Sequence, residues 1–352
     1  MVRFTFGRGI ALAAAAVATV ALGAGPAAAA DKVKVAVVSS LGSAPIYIAD
    51  AKGYFKDEGL DVELVHFDSA QPVAVAVAAG DIDFGSSGLT GAFFTFADNG
   101  VLKLIGAGTW ERKGFQGLGL IASNQAWDSG VKTIAALKGH SVAITQLGTA
   151  LHYNLYLMLK KYNVDLKDVR VLPLQSNPNV ASAITGGQAD GAMLSSGNAF
   201  ALINKHSAHL LGWLGDELGE AQGDGTYTSA KNANDRPETV KHFLAAFREA
   251  EQSWDAAFLD ANGNRADQAS APEMIAIVAK GLGVSENVVK LGLPYFDPQA
   301  RVSVADVQGA LDWYYAQGMI KTHIDARKIT DFRYAIEAPA TMGGGRSGTA
   351  SR

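Results

Sequence analysis

The chain of 352 residues contains no cysteine. Disulfide bonds, thiolate metal sites and cysteine nucleophiles are therefore excluded, and stability must come from a buried core. A lipid anchor behind a cleaved leader is excluded as well, because such an anchor is attached to a cysteine.

An excess of positive charge is also missing. The sequence has 30 Lys and Arg against 34 Asp and Glu, a formal net charge of -4, and no run of basic residues. Nucleic acids and anionic membranes attract proteins through positive surface charge. Neither is expected as a partner.

Signatures of catalysis and cofactor binding are scarce. No phosphate-cradling loop or nucleophile-elbow motif occurs, and His206 and His209 lack a nearby acidic partner for a metal. The G-x-G-x-x-A form at 117–122 precedes no convincing helix and is interpreted as a strand crossing between lobes. Three aspartates lie at helix-to-strand turns, where Asp bonds local backbone: Asp81, Asp83 and Asp190. No catalytic residue, metal or cofactor is predicted.

Long apolar runs are limited to the N-terminus. Arg3 and Arg8 precede the apolar stretch 10–22, and small residues at 28–30 form a cleavage site. The apolar stretch is shorter than the roughly 20 residues that span a bilayer. Residues 1–30 are therefore predicted to be a removable signal peptide that sends the mature chain to the periplasm without a lipid anchor.

Strands and helices alternate from Lys32 onward, with glycine-containing turns between them, which predicts an α/β fold. Two β-α-β-α-β modules are expected, followed by helices that begin at Pro237 and pack back on the first module. The predicted divisions are lobe 1 at 31–120, lobe 2 at 121–226, the helical remainder of lobe 1 at 227–340 and a flexible tail at 341–352.

One phrase occurs in both modules: "GDIDFGSSG" at 80–88 and "GQADGAMLSSG" at 187–197. Each copy lies where a strand ends and the chain turns toward the next helix. Ligands of open α/β sheets bind outside these strand ends, where hydroxyls and backbone N–H groups converge. Turn formation and helix capping alone also explain Ser-Ser-Gly. The matched placement favours a ligand site shared by two lobes.

The sequence resembles the periplasmic substrate-binding proteins of nitrate, sulfonate and taurine uptake systems, a family related to thiamine-pyrimidine precursor proteins. The stretches that carry the resemblance are "PIYIADAKGYFKDEGLDVELV", "AVAAGDIDFGSSG", "LKGHSVAITQLGTALHYNLYLMLKKYNVDLKDVRVLPL" and "SAITGGQADGAML". The resemblance implies a two-lobed type II binding protein whose ligand lies between the lobes. It also implies delivery of that ligand to the membrane permease of an ABC transporter.

Candidate contacts carried over from the resemblance are hydroxyls, amides and glycine backbone that orient an anionic group. They are Ser40, Ser43, Ser86, Ser87, Gly88, Gly148, Thr149, Asn177, Asn179, Ser195 and Ser196.

The segment 109–117, "TWERKGFQG", adds an aromatic and cationic wall as one interpretation, through Trp110, Arg112, Lys113 and Phe115. An exposed linker with solvated charges explains the same residues equally well.

The resulting prediction is a monomeric, non-enzymatic receptor for a small organic anion. A sulfonate or carboxylate is favoured over nitrate because apolar loop residues suit a carbon body. Two alternatives remain open: a protein that binds or synthesises thiamine-pyrimidine precursors, and a sensor subunit that presents its ligand to a signalling receptor.

Overall fold

The computed structural model describes residues 1–5 and 30–340. The predicted signal peptide therefore lies almost wholly outside the described residues, and the predicted tail at 341–352 lies outside them entirely. Both stay predictions.

The strands of the described residues, numbered β1 to β13 in chain order, are Asp31–Val38, Leu60–Phe67, Phe84–Gly88, Leu102–Ala107, Thr109–Glu111, Leu118–Ser123, Ser141–Ile144, Arg170–Pro173, Gly191–Ser195, Ala208–Trp213, Ala221–Gln222, Asp224–Ser229 and Tyr295–Phe296. The α-helices of the same residues, α1 to α15, are Ala44–Lys52, Tyr54–Asp57, Ala70–Ala79, Gly91–Asp98, Asn124–Asp128, Ala150–Lys161, Asn177–Thr185, Ser196–Asn204, Leu214–Leu218, Ala230–Asp235, Pro237–Phe258, Ala271–Leu282, Glu286–Leu291, Val304–Ala316 and Ala326–Ile329. Short 3-10 turns span Leu41–Ser43, Ile134–Leu137 and Leu166–Asp168.

Two five-stranded sheets share one topology. The first has the order β2-β1-β3-β12-β4, and the second, read in the matching direction, has the order β8-β7-β9-β6-β10. In each sheet the first three strands are parallel, and the remaining two pairings are antiparallel. The predicted α/β class with two sheet-bearing lobes is confirmed. We name each lobe after its sheet, with the helices packed on it.

The fourth strand of each sheet comes from the other half of the chain. β6 enters the second sheet directly after the first lobe's strands, and β12 returns to the first sheet at Asp224. The sequence suggested that the stretch 117–122 crosses between the lobes. In the structure most of this stretch, from Leu118 onward, belongs to β6, an inner strand of the second sheet. A small sheet of β11, β5 and β13 accompanies these two crossings. The lobe boundaries at 120 and 226 stay predictions.

Both main sheets are covered on both faces. Along β1, Val35 packs into one buried apolar cluster and Ala36 into another on the opposite face. Ala143 and Ile144 of β7 do the same in the second sheet. Burial on two faces explains why the stretches 35–38 of β1 and 142–144 of β7 are continuously apolar.

The C-terminal helices complete the first lobe. Helix α11 begins at Pro237, as predicted, and its Phe243 ring stacks on Phe84 of β3 at a centroid separation of 4.0 Å. Helices α12 and α13 contribute to the same apolar cluster, whereas α14 packs on the opposite face of the sheet. This scaffold fixes the central strand β3, whose carboxyl end faces the second lobe.

Candidate ligand-binding cleft

A cavity lies between the two lobes. It contains about 810 Å³ of empty space, part of which is open to solvent. Both lobes contribute the carboxyl ends of their central strands, where ligands of open α/β sheets bind. The lining residues are Val38, Ser40, Leu41, Gly42, Ser69, Ala70, Ser86, Ser87, Gly88, Thr109, Glu111, Gly117, Leu118, Thr145, Thr149, Ala150, Leu151, Asn177, Ser195, Ser196, Asp224 and Pro294.

Helix N-termini form the second lobe's wall. Thr149 is the N-cap of α6, Ser195 is the N-cap of α8, and Asn177 is the first residue of α7. Neither Thr149 nor Ser195 caps its own helix through its side chain. The Thr149 hydroxyl instead donates to the Gln146 carbonyl at 2.8 Å. Because helix N-termini carry partial positive charge, this wall favours a negatively charged group.

Hydroxyl groups on β3 form much of the first lobe's wall. Ser86 accepts a hydrogen bond from Thr226 Oγ1 at 3.1 Å, and the Ser87 hydroxyl lies 2.8 Å from the Tyr227 hydroxyl. Burial raises the pKa of Tyr227 well above its usual value, so its hydroxyl stays neutral at physiological pH. Ser40 contributes a further hydroxyl, which accepts from the Gly42 N–H at 3.2 Å.

Two carboxylates that the sequence prediction missed also line the cleft. Asp224 begins β12 and accepts a hydrogen bond from Thr109 Oγ1 at 2.8 Å. Glu111 ends β5 and accepts from the Leu118 N–H at 3.3 Å. Both residues lie in the segments that connect the lobes. Because such segments run beside the cleft, their position could have identified the two carboxylates as candidates from the sequence. No Lys, Arg or His is among the residues that line the cavity in the described chain.

Eight of the predicted contact residues line this one cavity, although they come from both halves of the sequence. They are Ser40, Ser86, Ser87, Gly88, Thr149, Asn177, Ser195 and Ser196.

Three other predicted residues do not line the cavity. The Ser43 hydroxyl donates to the Val38 carbonyl at 2.9 Å and accepts from the Val38 N–H at 3.0 Å, so it is used within the first lobe. The Asn179 side-chain amide donates to the Leu174 carbonyl at 2.8 Å, within the second lobe. Gly148 adopts a φ of 68°, and its carbonyl accepts from the Gly91 N–H, which joins the lobes beside the cavity.

The aromatic and cationic side chains of segment 109–117 are not among the residues that line the cavity, although Thr109, Glu111 and Gly117 of the same segment are. Trp110 is fully buried in an apolar cluster with Phe115 and Tyr295. The Arg112 guanidinium lies 4.7 Å from the centroid of the Tyr295 ring. Lys113 is exposed. Packing against β13, which lies far along the chain, buries Trp110 and Phe115 in this cluster and keeps their rings out of the cavity lining.

The two copies of the repeated phrase are offset by two residues. The Ser-Ser pair begins three residues after Asp83 in the first copy and five residues after Asp190 in the second. The first pair lies inside β3, whereas the second spans the end of β9 and the start of α8. The phrase therefore supplies strand hydroxyls on one wall and a helix N-terminus on the other.

Metal sites and membrane spans are absent from the described part of the chain. No cluster of three or more His, Asp or Glu side chains is arranged to hold a metal ion in residues 1–5 and 30–340. Within those same ranges, every helix is too short or too polar to cross a bilayer.

Comparisons with known proteins agree with this architecture. A Bacillus subtilis protein provisionally named as an aliphatic sulfonates-binding protein is 26% identical over 312 residues, 87% of this chain and 88% of its own length. The alkanesulfonate-binding protein SsuA of Xanthomonas axonopodis pv. citri, solved bound to MOPS, has a TM-score of 0.69 at 20% identity and covers 87% of this chain and 99% of its own.

The periplasmic nitrate-binding protein NrtA of Synechocystis PCC 6803 has a TM-score of 0.68 at 16% identity, with 85% of each chain covered. These solved structures establish the expected two-lobed fold of periplasmic binding proteins. All three similar proteins are named as binding proteins rather than enzymes. The family model described as NMT1/THI5 like matches residues 41–259, more than half of the chain. The chain belongs to the NMT1/THI5-like family.

Proposed function

We propose that this protein is the solute-binding component of an ABC import system and holds a small organic anion in the interlobe cleft. One observation carries the proposal: a single cavity is walled by the strand ends of both sheets. A ligand in that position gains contacts from the second lobe only when the lobes approach, so binding favours a closed form. A transporter can distinguish that form from the empty one.

The second lobe's wall supports an anionic group on the ligand. Helix N-termini and neutral hydroxyls hold anions without a basic side chain, because N–H and O–H dipoles point at the ligand. Our proposed contacts are Ser40, Ser86, Ser87, Gly88, Thr149, Asn177 and Ser195, whereas the N–H and hydroxyl donors of Ser196 are used in bonds to the Gly117 and Gly292 carbonyls.

Apolar residues in the lining support an organic ligand over nitrate. Leu41, Leu118, Leu151 and Pro294 present carbon surface to the cavity. Such surface is useful to a ligand with an alkyl or aryl body. A sulfonate or a carboxylate fits both requirements, and the sulfonate names of the relatives favour the first.

The proposal places the protein in the periplasm as a monomer after removal of the predicted signal peptide. Its macromolecular partner is the transporter's membrane permease, and its cleft binds and releases without chemistry. Loss of about thirty residues and appearance in osmotic-shock fluid would test the export step.

A thermal-shift screen tests the binding proposal. Small sulfonates, carboxylates, nitrate and thiamine precursors are added in turn, and hits are measured by calorimetry. A specific ligand at a hundred times its dissociation constant should add about 2.7 kcal/mol to the free energy of unfolding. If sulfonates and carboxylates all fail while nitrate or a thiamine precursor binds, the organic-anion assignment is wrong.

A further inference from the structure

We propose that Leu41 limits the size of the apolar body that a ligand of the cleft can have. The inference rests on the proposed function and adds to it a residue that determines specificity. Leu41 lines the cavity, yet it is only 2% exposed. Most of its side chain therefore packs against protein, and the packing behind it decides how the cavity responds when that side chain changes size.

The backbone of Leu41 is held in place by its neighbours. Leu41 begins the 3-10 turn that follows β1. On one side of it, the Ser40 hydroxyl accepts from the Gly42 N–H at 3.2 Å. On the other side, the Ser43 hydroxyl donates to the Val38 carbonyl at 2.9 Å. These bonds fix the turn to the first lobe, so the Leu41 side chain projects from a defined position.

Two glycines make room for the Leu41 side chain. A methyl group added at Gly197, in the first turn of α8, would lie 3.1 Å from Leu41 Cγ. One added at Gly292, at the end of α13, would lie 2.8 Å from Leu41 Cδ1. A side chain at either position would displace Leu41, and the open space beside Leu41 is the cavity. The two glycines therefore set how far Leu41 extends into the cavity.

The wall around this side chain suits carbon rather than an anionic group. The N–H and the hydroxyl of Ser196 are used in bonds to the Gly117 and Gly292 carbonyls, at 2.8 and 2.9 Å. Leu118 and Pro294, one and two residues beyond these carbonyls, add apolar surface to the cavity lining. We therefore expect the carbon body of an organic anion to lie against this wall, with its acidic group toward α6 and α7.

Shortening Leu41 should extend the cavity. Leu41→Ala removes three carbon atoms, and such a change at a packed position leaves space that the surroundings fill only in part. A larger ligand body then occupies that space. Burial of one methylene group corresponds to about fourfold in affinity, or about 0.8 kcal/mol.

Gly197→Ala should act in the opposite direction. The added methyl group displaces Leu41 toward the cavity, so larger ligand bodies should be rejected. Alanine is favoured over glycine within a helix, so this variant should fold. The two variants together therefore test the inference by changes of opposite sign.

A series of straight-chain sulfonates measures the size limit. Calorimetry on the full mature chain with ethane-, butane-, hexane- and octanesulfonate gives the preferred length for the parent, and straight-chain carboxylates of matching length are measured beside them. In Leu41→Ala the preferred length should increase by about two carbon atoms, with a gain of about tenfold for the longer compounds relative to ethanesulfonate. In Gly197→Ala the preferred length should decrease.

Leu151→Ala is the matched control. Leu151 lines the cavity from α6, where we place the acidic group, and it loses the same three carbon atoms. Its affinities should change by a similar factor at every length, so the preferred length should stay that of the parent. Thermal melts identify a variant that fails to fold, and the remaining variant then carries the test.

Each outcome has a distinct meaning. A preferred length that stays unchanged in either folded variant, Leu41→Ala or Gly197→Ala, would overturn the inference and leave the proposed function standing. An equal increase in Leu151→Ala would also overturn it, because the limit would then belong to the cavity as a whole. If no sulfonate and no carboxylate binds the parent, the proposed function fails, and this inference fails with it.

Discussion

Asp83 and Asp190 make the same bond in the two lobes. Each carboxylate accepts a 2.8 Å hydrogen bond from the backbone N–H of a residue 49 positions earlier, Lys34 for the first and Ser141 for the second. Each therefore fastens a central strand to the parallel strand beside it. The aspartate of the repeated phrase has the structural role that the sequence predicted, but it bonds the backbone of the neighbouring strand rather than local backbone, and it does so at the amino-terminal end of the strand, away from the cleft.

Replacing Asp190 should reduce stability without affecting the cleft. Asp190→Ala removes the acceptor of two bonds from Ser141, one from its N–H and one from its hydroxyl, and leaves a partly buried donor unpaired. We expect the free energy of unfolding to fall by about 1–3 kcal/mol. Urea titration measures the loss, with Asp81→Ala, an exposed aspartate of the first copy, as the control. Equal stability of the two variants would show that the strand clamp contributes nothing.

Replacing Gly88 should obstruct closure. A methyl group there would lie 2.9 Å from Ala150 Cβ, and Ala150 belongs to the opposite lobe. Overpacking of this kind costs about 1–3 kcal/mol, so Gly88→Ala should weaken ligand binding by about tenfold. The melting temperature of the ligand-free protein should change little, because open lobes avoid the clash.

Gly91→Ala is the matched control for this prediction. Gly91 also lies at the lobe contact, but its nearest atom would be 3.7 Å away, which is ordinary van der Waals contact. Calorimetry should find its affinity close to that of the parent. Equal affinities for the two glycine variants would mean that binding does not require the lobes to meet at β3.

The Ser196 hydroxyl bridges the lobes. It donates to the Gly292 carbonyl at 2.9 Å, and Leu293 next to Gly292 belongs to the first lobe's core. Because this bond acts on closure, Ser196→Ala should lower affinity by about two- to tenfold, and by the same factor for every ligand. Ser182→Ala, which removes a similar bond on the exposed side of α7, is the control. A loss of affinity confined to one ligand would instead identify Ser196 as a direct contact.

Two buried carboxyls on α11 should make stability depend on pH. Burial, followed by the charge of Asp297, raises the pKa of Asp255 to about 8 from a usual value of 3.8, and burial also raises the pKa of Glu251. The folded state therefore binds these protons more tightly than the unfolded chain does. Their stabilisation is complete below the unfolded pKa and is lost as pH rises toward 8.

Asp255→Asn removes one of these groups and tests whether the group makes the folded protein less stable as pH rises. Relative to the parent, its stability should improve as pH rises from about 5 to about 8, by at most about 1.4 kcal/mol per pH unit. Denaturant titrations at the two pH values measure the difference, and Asp267→Asn should show no such trend. A difference between Asp255→Asn and the parent that does not change with pH would mean that Asp255 is ionised in the folded protein.

The sequence predicted the regular elements well because glycine and proline mark their ends. Pro237 at the start of α11 is one example. Serines at strand ends were predictable as cleft residues because parallel strands bring their carboxyl ends to one edge.

The carboxylates and the aromatic segment were not predictable in the same way. Asp224 and Glu111 reach the cleft because β12 and β5 lie where the chain passes from one lobe to the other. A local sequence pattern does not reveal which strand will join the sheet of the other lobe. Trp110 is core because Tyr295, distant in sequence, pairs with it across β5 and β13. Such placement depends on long-range pairing rather than on residue type.

The central claim is that one ligand is held by both lobes at once. Small-angle scattering during a ligand titration tests it most directly, with calorimetry on the same sample to establish that the ligand binds. We predict a decrease in the radius of gyration that saturates at one ligand per chain, because closure brings the two lobes together. A radius of gyration that stays constant while calorimetry shows saturation would contradict the claim.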